Sequence, residues 1–229
     1  MDIVEQLNDW AIFGIIFVTI FFVLGIAETI RNYTGRPPES TRKFVHVFIG
    51  LIICFCPILF KVNIQIILLS SLFIAINTYL LLSEKFKSMN ATSRKSYGTI
   101  YFPLSVLILS FFWWDKPISF ILAILVLTLA DPIAAIFGAK QRHAFTPWID
   151  KKSSRGTSAM FGSSFLIILL GTDILSRLYG SNFFIPLPIL FGLGIFTALS
   201  ATLSELISYR GSDNLSIPII TFISYEVYL

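Results

Sequence analysis

Ile121-Leu122-Ala123-Ile124-Leu125-Val126-Leu127-Thr128-Leu129-Ala130-Asp131-Pro132-Ile133-Ala134-Ala135-Ile136-Phe137-Gly138 is a hydrocarbon run interrupted by a single acid. An apolar stretch of about 20 residues is long enough to cross a bilayer as one helix. A carboxylate inside it costs on the order of a few kcal/mol unless it faces a partner, water or a metal. Asp131 is therefore the first functional candidate. The following loop ends in Lys151-Lys152-Ser153-Ser154-Arg155-Gly156-Thr157, which is basic and hydroxyl-rich. An acid beside a segment suited to phosphate points to metal-assisted phosphate chemistry at a membrane surface.

The rest of the chain has the same character. Of 229 residues, 55% are hydrophobic and 13% are charged, where soluble domains carry about 25% charged residues. The composition predicts one all-α, polytopic membrane domain covering residues 1–229. Candidate spans are 11–30, 44–60, 62–82, 98–114, 117–138, 157–175 and 184–208, with 215–229 as a partial eighth, giving seven to eight in all. The acidic N-terminus does not read as a secretory signal. Cys54 and Cys56 read as small buried hydrophobes, because residues two apart on a helix face different ways.

Charge sets the expected orientation. Of the 17 Lys and Arg, all but Lys61, Lys116 and Arg177 fall in loops 31–43, 83–97, 139–156 and 209–214. Basic loops stay in the cytoplasm, so the N-terminus is expected outside. The net charge of +4 is explained by this asymmetry and does not indicate nucleic-acid binding. Trp113-Trp114 is expected in the outer aromatic belt, and Phe86 and Trp148 along the inner headgroups. Arg94-Lys95-Ser96-Tyr97-Gly98-Thr99 and Lys152-Ser153-Ser154-Arg155-Gly156-Thr157 look alike, but too briefly to establish a duplication.

Four clusters could carry chemistry. Pro132 removes a helical hydrogen bond and clashes with the preceding turn, so the helix is expected to break, with Asp131 capping a second half-helix. Asp131 could be only that cap. Thr128, Asp131, Ala135 and Gly138, however, fall at helical spacing and would form a small, polar face suited to a wet cleft. In the loop 140–157, Lys140, Lys152 and Arg155 would neutralise phosphate. Gly156 would permit close backbone approach, and the N–H groups that open a helix near Thr157 would bind an anion. Arg42, Lys43 and His46 would stand where the second span begins. Glu205, with Asp213 and Asn214 just beyond, offers oxygen ligands of the kind Mg²⁺ favours. Glu28 is a weaker candidate that could pair with Arg31, and Asn63, Gln65 and Asn77 read as packing residues. No P-loop, zinc site or Ser/His/Asp triad is present.

These elements resemble the CTP-dependent lipid-alcohol kinases: dolichol and polyprenol kinases, phytol kinase and CTP-dependent diacylglycerol kinase, relatives of some membrane cytidylyltransferases. The resemblance rests on Arg42-Lys43-x-x-His46-x-x-x-Gly50, Tyr97-Gly98-Thr99, Asp131-Pro132-x-Ala134-x-x-x-Gly138, Lys152-x-x-Arg155-Gly156-Thr157 and Glu205…Asp213-Asn214-Leu215…Pro218, in that order. Pro132, Ala139-Lys140 and Arg155 depart from the usual pattern. The resemblance implies transfer of the γ-phosphoryl group of CTP to the hydroxyl of a membrane-dissolved alcohol at the cytoplasmic face, with Mg²⁺. Asp131, Lys152 and His46 would be catalytic. Asp131 would take either the metal or the hydroxyl proton, and Glu205 and Asp213 would position the metal. Lys152, Arg155, Lys140, Gly138, Gly156 and Thr157 would hold the triphosphate, with Arg42, Lys43 and His46 as the opposing wall. Tyr97, Gly98, Thr99 and Asn214 are secondary candidates. A cytidylyltransferase making a CDP-lipid, which would release pyrophosphate, is the second expectation, and a transporter with broken helices is a third.

Overall fold

A chain in hydrocarbon must satisfy its backbone polar groups internally, and long apolar runs do so as helices. The computed structural model describes residues 8–34, 38–82, 97–139, 152–180 and 185–229. Within them the chain forms α1 (Asp9–Thr34), α2 (Pro38–Leu59), α3 (Ile64–Leu82), α4 (Gly98–Phe112), α5 (Pro117–Ala139), α6 (Ser154–Leu178), α7 (Leu187–Ile207) and α8 (Asp213–Tyr228). The basic stretches 83–96 and 140–151, with Lys85, Phe86, Arg94, Lys95, Lys140, Arg142, Trp148 and Lys151, lie outside the described residues.

Six of these helices are long and apolar enough to cross a membrane: α1, α2, α3, α5, α6 and α7. The span expected at 98–114 is shorter, because α4 closes at Phe112 and the Trp113 N–H bonds to the Leu109 carbonyl. At a rise of 1.5 Å per residue, α4 and the final helix α8 reach only about 22–24 Å. The two short helices pack side by side. Trp113 and Trp114, expected in the outer aromatic belt, are partly buried at the C-terminal end of α4. Their rings turn inward onto Phe222 and Phe120, at 4.9 and 5.8 Å between centroids.

The centre of the bundle is α5. Some 61% of its apolar window is buried inside the protein, against 22–39% for the other spans. It packs against α2, α6 and α8, and Phe120, Leu122, Ile124, Val126 and Leu127 are fully enclosed. By contrast, α1 turns Val18 and Phe22 outward, as a lipid-facing helix should.

The expected helix break at Asp131-Pro132 does not occur. Residues Val126–Ala130 instead widen into one π-helical turn, and α-helix resumes at Asp131, which keeps right-handed helical dihedrals. A wider turn relaxes the clash between the Pro132 ring and the carbonyl four residues back, the usual reason proline kinks a helix. The chain keeps one continuous rod and carries the irregularity as a bulge.

Two crossings fix α5 laterally. On α2, a Cβ at Gly50 would collide with the side chain of Thr128. On α6, a Cβ at Gly156 would lie 3.0 Å from the Ala134 carbonyl and 3.3 Å from Gly138 Cα. Small residues at such seams let helix backbones approach closely. At the end of the bundle opposite Asp131, Glu226 of α8 accepts from Ser119 and pairs with Lys116 at 3.0 Å. A hydrogen bond and ion pair with Glu226 hold the Lys116 ammonium above the ordinary lysine pKa.

Gly50→Leu should therefore destabilise the protein by about 1–3 kcal/mol through overpacking. Gly25→Leu, where nothing lies within 4 Å, should stay within about 0.5 kcal/mol. Thermal unfolding in detergent micelles measures both.

Candidate active site

The helices alternate in direction, so one end of the bundle collects the C-terminal ends of α5 and α7 and the N-terminal ends of α2, α6 and α8. The sequence-selected charges converge there. Asp131 on α5 lies within electrostatic reach of Asp213 at the start of α8, Lys152 before α6, Glu205 on α7 and Arg42 on α2. His46 on α2 lies within reach of Arg42 and Asp213. Residues drawn from Arg42 to Asp213 in the sequence thus meet as three carboxylates, two cations and an imidazole. Asp131 is half-buried and sits about 12 Å along the helix from Ala139.

The strongest contact is the ion pair between Lys152 Nζ and Glu205 Oε1. The side chains are 16% and 7% exposed, which places this among buried pairs, where removing one partner leaves an uncompensated charge. The other carboxylate oxygen, Glu205 Oε2, is buried without a hydrogen-bond partner. Burial disfavours the charged form of Lys152. The carboxylates of Glu205, Asp213 and Asp131 outweigh it and hold the pKa above the usual lysine value.

Asp213 is held by its neighbour. Its Oδ1 accepts from Asn214 N at 2.9 Å and from Asn214 Nδ2 at 3.2 Å, while the same Nδ2 reaches the Gly211 carbonyl at 3.3 Å. Asn214 thus orients Asp213 through its backbone N–H and side-chain Nδ2. The turn before it places Arg210 at φ 52° and Gly211 at φ 90°. Left-handed backbone is sparsely populated by non-glycine residues and is enriched at functional sites. The Arg210 carbonyl accepts from Tyr97 N at 2.9 Å, which ties Tyr97-Gly98-Thr99 to the turn beside Asp213. Asn77 Nδ2 in turn donates to the Thr99 carbonyl at 3.1 Å.

Other expectations are corrected. The Gly156 N–H is not an open anion donor, because it is capped by Ser153 Oγ at 3.1 Å. The Thr157 N–H makes the first helical bond, to the Ser153 carbonyl at 2.9 Å, and its hydroxyl reaches the same carbonyl at 3.1 Å. Gly138 and Gly156 face each other across the α5–α6 crossing, so both glycines serve packing. Ser153 is the N-cap of α6, a role the sequence signals by a serine just before a helix, so the helix opens three residues before the expected start near Thr157. Arg155 remains exposed in the first turn of α6. Arg42 is the α2 cation that reaches Asp131; Lys43 follows it, turned about 100° around the helix. His46 Nε2 lies 3.2 Å from the Leu127 carbonyl. Lys140 falls outside the described residues. Glu28 pairs with Arg31 at 2.5 Å, away from the cluster.

Among the described residues, no group of three His, Cys, Asp or Glu side chains could hold a metal ion unaided. Mg²⁺ that binds with a nucleotide needs only one or two carboxylates, the rest of its shell being phosphate and water. The unpartnered Glu205 Oε2 and the nearby Asp213 fit that smaller demand.

Lys152→Met should cost about 3–5 kcal/mol by stranding Glu205 in the core, and the double variant Lys152→Met/Glu205→Leu should regain much of it. Because the Lys152 pKa is raised, the pair's contribution is fully present below the ordinary lysine pKa and is lost only as pH rises through the raised value. Thermal unfolding of wild type and the double variant, which strands no carboxylate, should therefore show a constant difference across pH 6–9 with no lysine titration.

No family model matches the chain, and no solved structure matches it. Two curated proteins are similar. Phytol kinase of Synechocystis sp. is 30% identical over 227 residues, covering 94% of this chain and 93% of that protein. Farnesol kinase, chloroplastic, of Arabidopsis thaliana is 27% identical over 172 residues, covering 70% of this chain and 56% of that protein. The first of these spans nearly the whole of both chains, and it joins the ordered motifs and their convergence at one end of the bundle: the chain belongs to the lipid-alcohol kinase family.

Proposed function

We propose that the enzyme transfers the γ-phosphoryl group of CTP to the hydroxyl of an isoprenoid alcohol dissolved in the membrane, with Mg²⁺, at the cytoplasmic face. The observation that carries this reading is the meeting of Asp131, Glu205, Asp213, Lys152 and Arg42 at one end of the bundle. The acceptors named for the similar proteins, phytol and farnesol, support an isoprenoid alcohol. The positive-inside rule supports the cytoplasmic placement, since Arg42 and Lys152 stand at the end toward which the basic loops lead.

Phosphoryl transfer asks little covalent chemistry of a protein and much positioning and charge neutralisation. Lys152 and Arg155 at the mouth of α6, with Arg42 opposite on α2, would bracket the triphosphate. Glu205 Oε2 and Asp213 would hold Mg²⁺, which when bound neutralises charge on the β- and γ-phosphate oxygens. The alcohol would enter sideways from the bilayer and present its hydroxyl to Asp131. Asp131 orients that hydroxyl and accepts its proton as the oxygen bonds to γ-phosphorus and the bond to CDP breaks. The products are the alkyl phosphate and CDP, and the proton leaves Asp131 for solvent.

Incubation with γ-labelled CTP and farnesol or phytol in micelles should move label into the lipid with release of CDP. Pyrophosphate release would instead indicate cytidylyl transfer. Asp131→Asn should lower turnover by about 10²–10⁴-fold without changing the Mg²⁺ concentration needed for half-maximal rate. Asp213→Asn should raise that concentration. Normal turnover by Asp131→Asn would remove the central assignment.

A further inference from the structure

We infer that His46 is a positioning residue: it aims Asp131 by holding the backbone carbonyl that Pro132 leaves without a partner. The inference begins with the π-turn. In π-helical register each carbonyl bonds the N–H five residues on. For Leu127 that residue is Pro132, whose nitrogen has no hydrogen. The Leu127 carbonyl is thus orphaned in a turn where Val126, Leu127, Thr128 and Ala130 are all buried, and an unpaired polar group there is costly. His46 Nε2 lies 3.2 Å from it.

A carbonyl can only accept, so Nε2 must carry the proton in this contact. That nitrogen is then unavailable as a base. The ring is held from a third side by Phe102 of α4, edge-on at 5.4 Å. One helical turn along α2, Gly50 presses against Thr128, the next residue of the π-turn. So α2 grips the bulge at consecutive positions, through a donor at Leu127 and a space-filling contact at Thr128.

Two registers compete in this segment. In plain α-helical register the Asp131 N–H would take the Leu127 carbonyl, and the Thr128 carbonyl would be orphaned at Pro132 instead. In the π register the Leu127 carbonyl is the one left over. His46 satisfies that carbonyl and so selects the π register. Losing the extra residue of the bulge would rotate Asp131 by about 100° relative to the buried half of α5, away from Lys152, Arg42 and Asp213. A misplacement of only about 1 Å can cost about 10²-fold in rate.

The inference rests on the assignment of Asp131 to catalysis, and its test is separable from that assignment. His46→Ala, His46→Gln, Pro132→Ala and the double variant His46→Ala/Pro132→Ala are compared for kcat, KM for CTP and unfolding temperature in micelles. His46→Ala should lower kcat about 10²-fold with little change in KM, and should lower the unfolding temperature. His46→Gln, which places an amide donor near Nε2, should recover most of both and leave the pH profile of kcat unchanged in shape. With Pro132→Ala, position 132 regains its N–H, and the further loss on adding His46→Ala should shrink to a few-fold. Equal losses in both backgrounds would overturn the inference, as would a folded His46→Gln enzyme no more active than His46→Ala. Loss of an ionisation from the pH profile in His46→Gln would overturn it too, by making His46 a base. The unfolding temperatures report the hydrogen bond itself, even if Asp131→Asn shows that the catalytic assignment is wrong.

Discussion

A carboxylate in hydrocarbon must be answered by opposite charge, by hydrogen bonds or by a bound cation, and that demand organises this protein. Asp131 stands on the most buried helix of the bundle, in the fields of Lys152 and Arg42 and of two further acids. To satisfy it, α2, α6, α7 and α8 must bring polar ends to the same place, and their alternating directions allow this. The opposite end is fastened by smaller devices, such as Ser119 and Lys116 on Glu226. The hydrophobic effect does not drive helices together inside lipid. Glycine seams at Gly50, Gly138 and Gly156 and the buried Lys152–Glu205 pair therefore carry much of the specificity of assembly.

Much of this was legible in the chain, because membranes impose simple rules on sequence. Long apolar runs marked the six full-length helices, and an acid in such a run marked Asp131. Glu205 was legible for the same reason, while Arg42 and Lys152 stood out in basic loops and Asp213 just beyond the end of a span. Their mutual pairing was not legible. Nothing in one dimension links Lys152 to Glu205, which are 53 residues apart. The end of α4, two residues short of the expected span, was not legible, because apolar composition alone does not show where a helix stops. The contact between Gly138 and Gly156 was not legible, since a glycine permits close approach to a ligand and to another helix equally well.

Pro132 shows how a local rule can be right about energy and wrong about geometry. Its missing N–H and its ring do disrupt regular α-helix, as expected. The disruption is absorbed by a π-turn and a side chain from α2, so the rod survives and the acid at its bend gains a fixed direction. Irregular turns of this kind are common at functional sites. Here the bulge, His46 and Gly50 together decide where Asp131 points.

Membership in the lipid-alcohol kinase family gives the class of reaction, and the proposal places that reaction at the charges gathered around Asp131. The most direct test is a structure of the protein with Mg²⁺ and a non-transferable CTP analogue. The account requires triphosphate density between Lys152 and Arg42, with the cation against Glu205 and Asp213 and the γ-phosphate facing Asp131. A nucleotide bound at the Lys116–Glu226 end, or with its phosphates turned away from Asp131, would contradict it.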